Sequence, residues 1–220
     1  MRTTIKPGEH AQPFNIECRS CSRLANHLTL VKGDHPDYHA APVPPFGDPK
    51  AKLLIVGLAP GMHGANRTGR PFTGDYAGIL LYQTLYDFGF ASNPESVSAD
   101  DGLKLIGCRI SNAVKCLPPE NKPTTAEIKT CNTYLAAELQ ALQPDAVILA
   151  LGTIAHGAVL RAFALKLKDY TFGHGHQHAL PNGLVLLDSY HCSRYNTQTR
   201  RLSEPMFRDV FKKASQLIDK

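Results

Sequence analysis

Two short, unbroken aliphatic runs constrain this chain more than any other feature: Leu53-Leu-Ile-Val56, closed by Gly57, and Ala146-Val-Ile-Leu-Ala-Leu151, closed by Gly152. Neither run alternates apolar with polar residues, and each is short and stops at a glycine. Both are therefore read as strands buried on two faces, the kind found in parallel sheets covered by helices. Ile110–Val114 and Leu184–Leu187 supply two more such runs. Between and after them, residues 77–89, Thr125–Leu142, Ile154–Phe163 and Pro205–Ile218 carry apolar side chains at helical spacing. The alternation predicts a three-layer α/β/α sandwich around a central, mainly parallel four-stranded sheet. A chain of 220 residues is expected to form a single domain, 1–220, with an N-terminal arm (1–17) and a loop (33–49) that holds five prolines.

The 43% apolar and 20% charged content excludes disordered and collagen-like classes. No apolar run approaches the eighteen or so residues that span a bilayer, and the first thirty residues lack a signal-peptide layout, so a soluble, cytoplasmic protein of prokaryotic type is expected. The charge is unevenly placed. Residues 191–220 carry seven Lys or Arg against three acids, most of the chain's net +5, which suits contact with a polyanion. A solvated terminal helix would show the same charge run.

In open α/β sheets ligands bind beyond the carboxyl ends of the strands, which directs attention to the loops after Val56, Val114, Leu151 and Leu187. The first reads GLAPGMHGANRTGRPFTGD from Gly57 to Asp75. Its glycines let backbone approach a ligand closely, and Asn66, Arg67, Arg70 and Asp75 add polar side chains. The G-K-[ST] ending of a P-loop is absent. Phe72, alone among polar groups, offers a stacking face for a planar ligand. Cys18-x-x-Cys21 and the pair Cys116 and Cys131 make four thiolates that a fold could gather. Spacing alone leaves a zinc site and a [4Fe–4S] cluster equally open. Cys108 and Cys192 lack partners at ligand spacing and are read as free thiols.

Taken together, the glycine loop, NAVKC followed by LPPENKPT, the cysteine pairs and SYHCSRYNTQTRRL near the C-terminus resemble the uracil-DNA glycosylase superfamily, most closely its family 5 (type B) iron–sulfur branch. The resemblance runs from residue 18 to the last helix. One position departs from many members: Cys192 follows the motif histidine, where they have proline.

The resemblance implies a monofunctional hydrolase of the N-glycosidic bond of uracil in DNA, with other deaminated bases as further candidates. It would leave an abasic site in base excision repair. It also implies a [4Fe–4S] cluster on Cys18, Cys21, Cys116 and Cys131, DNA as partner and a monomeric state. Such chemistry must extract a nucleotide, hold its base, stabilise the departing anion and deliver water. Phe72 is the candidate stacking ring, and Asn112 can donate to uracil O4 while accepting from N3–H. Gly57 and Ala59 complete the substrate-binding set. Asp75 is the candidate for positioning water, although its place before a helix also suits an N-cap. His191 is the candidate donor to uracil O2, and His63 is a second, weaker one. Ser193, Arg194, Asn196 and Arg200 are expected to hold DNA phosphates. Neither the glycine loop nor the His191 motif contains a lysine, so strand cleavage through an amine is not expected. His174, His176 and His178 read as a polar loop with no accompanying acid. A metal-stabilised nucleic-acid-binding module without catalysis is the alternative, and it leaves Asp75 and His191 unexplained.

Overall fold

The computed structural model describes residues 11–218. Residues 1–10 of the predicted arm lie outside that range, and residues 11–17 form no helix or strand.

In chain order the described elements are α1 (Ser22–Asp34), β1 (Phe46–Gly47), β2 (Leu53–Gly57), α2 (Ala65–Thr68), α3 (Tyr76–Asp87), β3 (Cys108–Asn112), α4 (Thr125–Gln140), β4 (Val147–Leu151), α5 (Thr153–Ala162), β5 (Gln177–Ala179), β6 (Val185–Ser189), α6 (Arg194–Gln198) and α7 (Glu204–Ile218). The sheet runs β1-β3-β2-β4-β6-β5. Its four central strands are parallel, and they are the four read from the sequence. The expectation of four strands is corrected to six, because β1 and β5 add antiparallel edges. Both lie in segments read as loops. They are two and three residues long, only partly buried or exposed, and join through backbone groups, so no aliphatic run announces them. The β3 run begins two residues earlier than expected because Arg109, a charged residue inside the strand, donates to the Gly47 carbonyl oxygen at 2.6 Å.

Side-chain alternation along the central strands divides the core in two. Leu53, Ile55, Ile110, Val147, Leu149 and Leu187 face α3 and α7. Leu54, Val56, Ile148, Ala150 and Leu186 face α4 and α5. The sandwich is thus three-layered, as expected. In α7, Phe207, Val210, Phe211 and Ala214 are the buried residues, and their spacing is that of one helix face. A third apolar cluster joins α1 to Cys116, Cys131 and Tyr134. Helix α4 starts in a capping box, Thr124 accepting from the Glu127 N–H while Glu127 accepts from the Thr124 N–H. No described helix is long and apolar enough to cross a membrane.

Candidate active site

Four parallel strands ending at one level leave a cleft above the sheet, and the loops after β2, β3, β4 and β6 wall it. The cavity, about 470 Å³, is lined by Phe72, Asp75, Asn112 and His191 together. Four groups spread over more than a hundred residues of chain meet there because each ends a strand or lies in the loop that follows one. Ala59, Ser193 and Arg194 also line it.

Gly57 does not line the cavity but backs it. It sits beside Asn112 in the parallel register, and a Cβ on it would lie 2.5 Å from Asn112 Oδ1 and 2.7 Å from the Phe72 ring. The absent side chain is what lets ring and amide close on one another. Phe72 holds a positive φ of 55°, rare for a bulky residue. Its carbonyl packs so tightly onto α3 that a Cβ on Gly78 would fall on the oxygen. Around it, Tyr82 donates its hydroxyl to the Pro71 carbonyl at 2.8 Å. Arg70 is buried in an ion pair with Asp101 at 2.7 Å and lies over the Phe46 ring. Strain of this kind persists where neighbours over-determine the backbone.

Asp75 fulfils both readings considered for it. Its Oδ1 caps α3 by accepting from the Gly78 N–H at 2.9 Å, and its carboxylate lines the cavity with Oδ2 turned to Gly61 and Gly64, where a Gly64 Cβ would sit 2.5 Å away. Burial raises its pKa above the usual carboxylate value, and the N–H groups of Gly78 and Ala77 partly offset this. His191 Nδ1 is buried without a partner. Burial drives the imidazole's pKa down to about 4, so the ring is neutral near pH 7. Its plane is 27° from that of Phe72, with ring centroids 5.8 Å apart. Asn112 Oδ1 is likewise buried and unpartnered. An orphaned acceptor costs free energy unless a ligand donates to it.

The remaining candidates have other places in the fold. The Asn196 amide donates one N–H to the His191 carbonyl at 2.8 Å and fixes that loop. Ser193 caps α6, accepting from the Asn196 N–H. Arg200 is exposed at the far end of α6 and does not reach the cavity, whereas Arg194 lies over the Tyr76 ring at its mouth. His63 does not line the cavity; its Nδ1 meets the Tyr38 hydroxyl at 2.8 Å. Asn66, Arg67 and Arg70 build the glycine loop rather than face a ligand. Asn66 is fully buried, and Arg67 donates to the His63 carbonyl. Part of the C-terminal positive charge is internally spent, Arg208 pairing with Asp87 and Lys213 donating to the Gly175 carbonyl. The polar histidine loop does find an acid, Asp188 of β6, beside His178.

Sequence reasoning missed Asn121, which lines the cavity with a left-handed φ of 56°. Its signal was the turn-forming run PPENKP. Leu58, Thr153 and Ile154 also line the cavity and carried no chemical signal. Lys115, nearest lysine to the asparagine motif, is buried and bound to Glu138 at 2.6 Å, to the Asn112 carbonyl at 3.0 Å and to Ser111. Its amine is fully engaged.

Cys18, Cys21, Cys116 and Cys131 all line a second cavity of about 190 Å³. Burial raises the Cys116 pKa to about 12, and the charges of Cys131, Cys18 and Cys21 add to the effect. The Lys115 N–H points at the Cys131 sulfur, 3.2 Å away. Four thiols around one pocket, with an N–H donor to sulfur, fit a four-thiolate metal group. Cys108 and Cys192 are buried and separate from it.

Fold and cleft define an α/β protein whose cavity, at the carboxyl ends of the parallel strands, is lined by a phenyl ring and an amide together. The sequence model of the uracil DNA glycosylase superfamily matches residues 44–215, and the chain belongs to that superfamily. A type-5 uracil-DNA glycosylase of Thermus thermophilus is 47% identical over 205 residues, covering 91% of this chain and 93% of that protein. One of Pyrobaculum aerophilum is 40% identical, covering 91% and 88%. A type-4 uracil-DNA glycosylase of Archaeoglobus fulgidus is 36% identical over 151 residues, covering 68% and 63%.

Proposed function

We propose that this chain is a monofunctional uracil-DNA glycosylase of the type-5 kind, acting as a single domain and a monomer in the cytosol. The observation that carries the reading is the convergence of Phe72, Asn112, Asp75 and His191 on one cavity, two of them with buried polar atoms left without a partner. Uracil presents an N3–H to Asn112 Oδ1, where cytosine would present a lone pair. The same oxygen that accepts from the correct base repels the common one.

A flipped uracil stacks on Phe72, which offsets part of the few kcal/mol needed to unstack it. As the glycosidic bond stretches, negative charge grows on the base and positive charge on the sugar. Neutral His191 donates to uracil O2 without bringing a full charge into the cleft. Asp75 keeps Oδ2 free to orient water and to face the sugar's charge. Arg194 at the mouth meets a flanking phosphate. No lysine lines the cavity among the described residues, in keeping with hydrolysis to an abasic site.

Cys18, Cys21, Cys116 and Cys131 would hold a [4Fe–4S] cluster rather than zinc. Such a group supplies a rigid cross-link rather than a reaction step. The four cysteines themselves tie the segment before α1 to the loop after β3 and to α4.

Incubation with a uracil-containing oligonucleotide, then alkali, tests the function. Cleavage at the uracil position after alkali but not before it is expected. No alkali-labile product would favour a binding module without catalysis. Absorbance near 400 nm, about where iron–sulfur thiolate bands fall, separates cluster from zinc.

A further inference from the structure

A second group of chemically competent side chains lies beside the other end of the sheet, at the β5 edge. His156 of α5, His178 of β5 and Asp188 of β6 place their ligand atoms within 4.8 Å of one another. None of the three lines the candidate active site. Asp188 has no exposure, and its two oxygens face two rings: Oδ1 lies 2.8 Å from His156 Nδ1 and Oδ2 3.3 Å from His178 Nε2. Among the described residues no lysine or arginine pairs with it, and the Gly173 N–H, 3.4 Å from Oδ2, adds only a weak donor.

The hydrogen-bond arithmetic around His156 is the informative part. Its Nε2 lies 2.8 Å from the Tyr170 carbonyl, which can only accept, so Nε2 carries the proton. A neutral ring then turns the Nδ1 lone pair toward a carboxylate oxygen 2.8 Å away. Two acceptors at that separation in a dry interior repel unless a cation stands between them. The buried carboxylate makes the same demand.

We propose that His156, His178 and Asp188 form a site for a divalent transition metal of the zinc class, separate from the cysteine pocket. Two imidazoles and one carboxylate suit zinc better than magnesium or calcium, which prefer oxygen donors. The anchoring of His156 through Nε2 to a backbone carbonyl is the arrangement that fixes the tautomer and aim of a metal-ligating histidine. Tetrahedral ligands at about 2.0–2.1 Å stand about 3.3 Å apart. The His178–Asp188 pair already has that separation, and the His156–Asp188 pair reaches it by opening about half an ångström. His178, whose side chain is 14% exposed, marks the entry path, and water completes the set. Bound metal would join α5, β5 and β6 three residues before His191, as a structural clasp.

Purified holoprotein, dialysed against a chelator and then equilibrated with zinc sulfate, provides the test. Expected are one retained zinc per chain, a zinc-edge absorption spectrum showing nitrogen and oxygen neighbours only, and a melting temperature raised by zinc. His178→Ala and Asp188→Asn should each lose the zinc and the thermal shift, with circular dichroism confirming their fold. The proposal is overturned if the wild type retains no zinc, which would make the cation a proton on His156. It is equally overturned if sulfur neighbours appear, or if His178→Ala binds zinc as the wild type does.

Discussion

Asp75 performs two tasks with two oxygens, so two substitutions should pull them apart. Asn retains an oxygen that can accept from the Gly78 N–H, and as an N-cap it ranks with Asp. Asp75→Asn should therefore keep α3 capped. Burial raises the Asp75 pKa, so the folded state holds the proton more tightly than the unfolded chain and the ionised carboxylate is a cost near neutral pH. Asparagine removes that cost. Its stability should equal or exceed the wild type at pH 7, and the difference should shrink as pH falls through the raised folded-state pKa and be gone below the ordinary carboxylate range. Ala removes the cap as well, costing about 1 kcal/mol, or roughly 2–4 °C in melting temperature for a chain of this size. Both variants lose the group that orients water, so single-turnover excision of uracil should slow by about 10²–10⁴-fold in each. Denaturant melts and an alkali-developed gel time course measure the two quantities. Asp75→Asn excising uracil at the wild-type rate would refute the catalytic assignment, and Asp75→Ala melting with Asp75→Asn would refute the capping one.

Gly78→Ala should destabilise the fold by about 1–3 kcal/mol, because the new methyl meets the Phe72 carbonyl; excision should fall with it, and an unchanged urea midpoint would count against that packing. For His191, with its pKa lowered to about 4, the unfolded chain takes up a proton between about pH 6.5 and 4 that the folded state refuses, so stability falls with pH by at most about 3 kcal/mol. His191→Gln should flatten that acid slope in urea titrations, and the wild-type excision rate should show no histidine step near pH 6.5. Arg194→Ala should weaken DNA binding and reduce the slope of log affinity against log salt by about 0.9, one phosphate contact; an unaltered slope would remove Arg194 from the DNA interface.

The four central strands were legible because burial on both faces demands aliphatic runs such as Leu53–Val56, and such runs have few other uses. The edges β1 and β5 were not, because an edge strand needs only backbone partners, and Phe46-Gly47 and Gln177-His-Ala179 supply those in any composition. Similarly, Asn112 could be picked out by chemical type and its place at a strand end, and Asp75 and His191 through the resemblance of the motifs that hold them, because a helix cap and a structural histidine are spelled the same way. The employment of Asn196 on the His191 carbonyl and of Arg70 on Asp101 could not, since an exposed arginine and a braced one are spelled alike.

The sequence by itself determined the layered architecture, the register of the chemistry with the strand ends and the supply of four thiols. Those properties follow from local hydrophobic pattern and residue type. Only the tertiary structure decided that Gly57 is bare so that Phe72 and Asn112 can close together, and that Asp188 of β6 lies against histidines from α5 and β5. Such facts depend on distances between residues far apart in the chain, and those distances exist only once the sheet has brought the segments side by side.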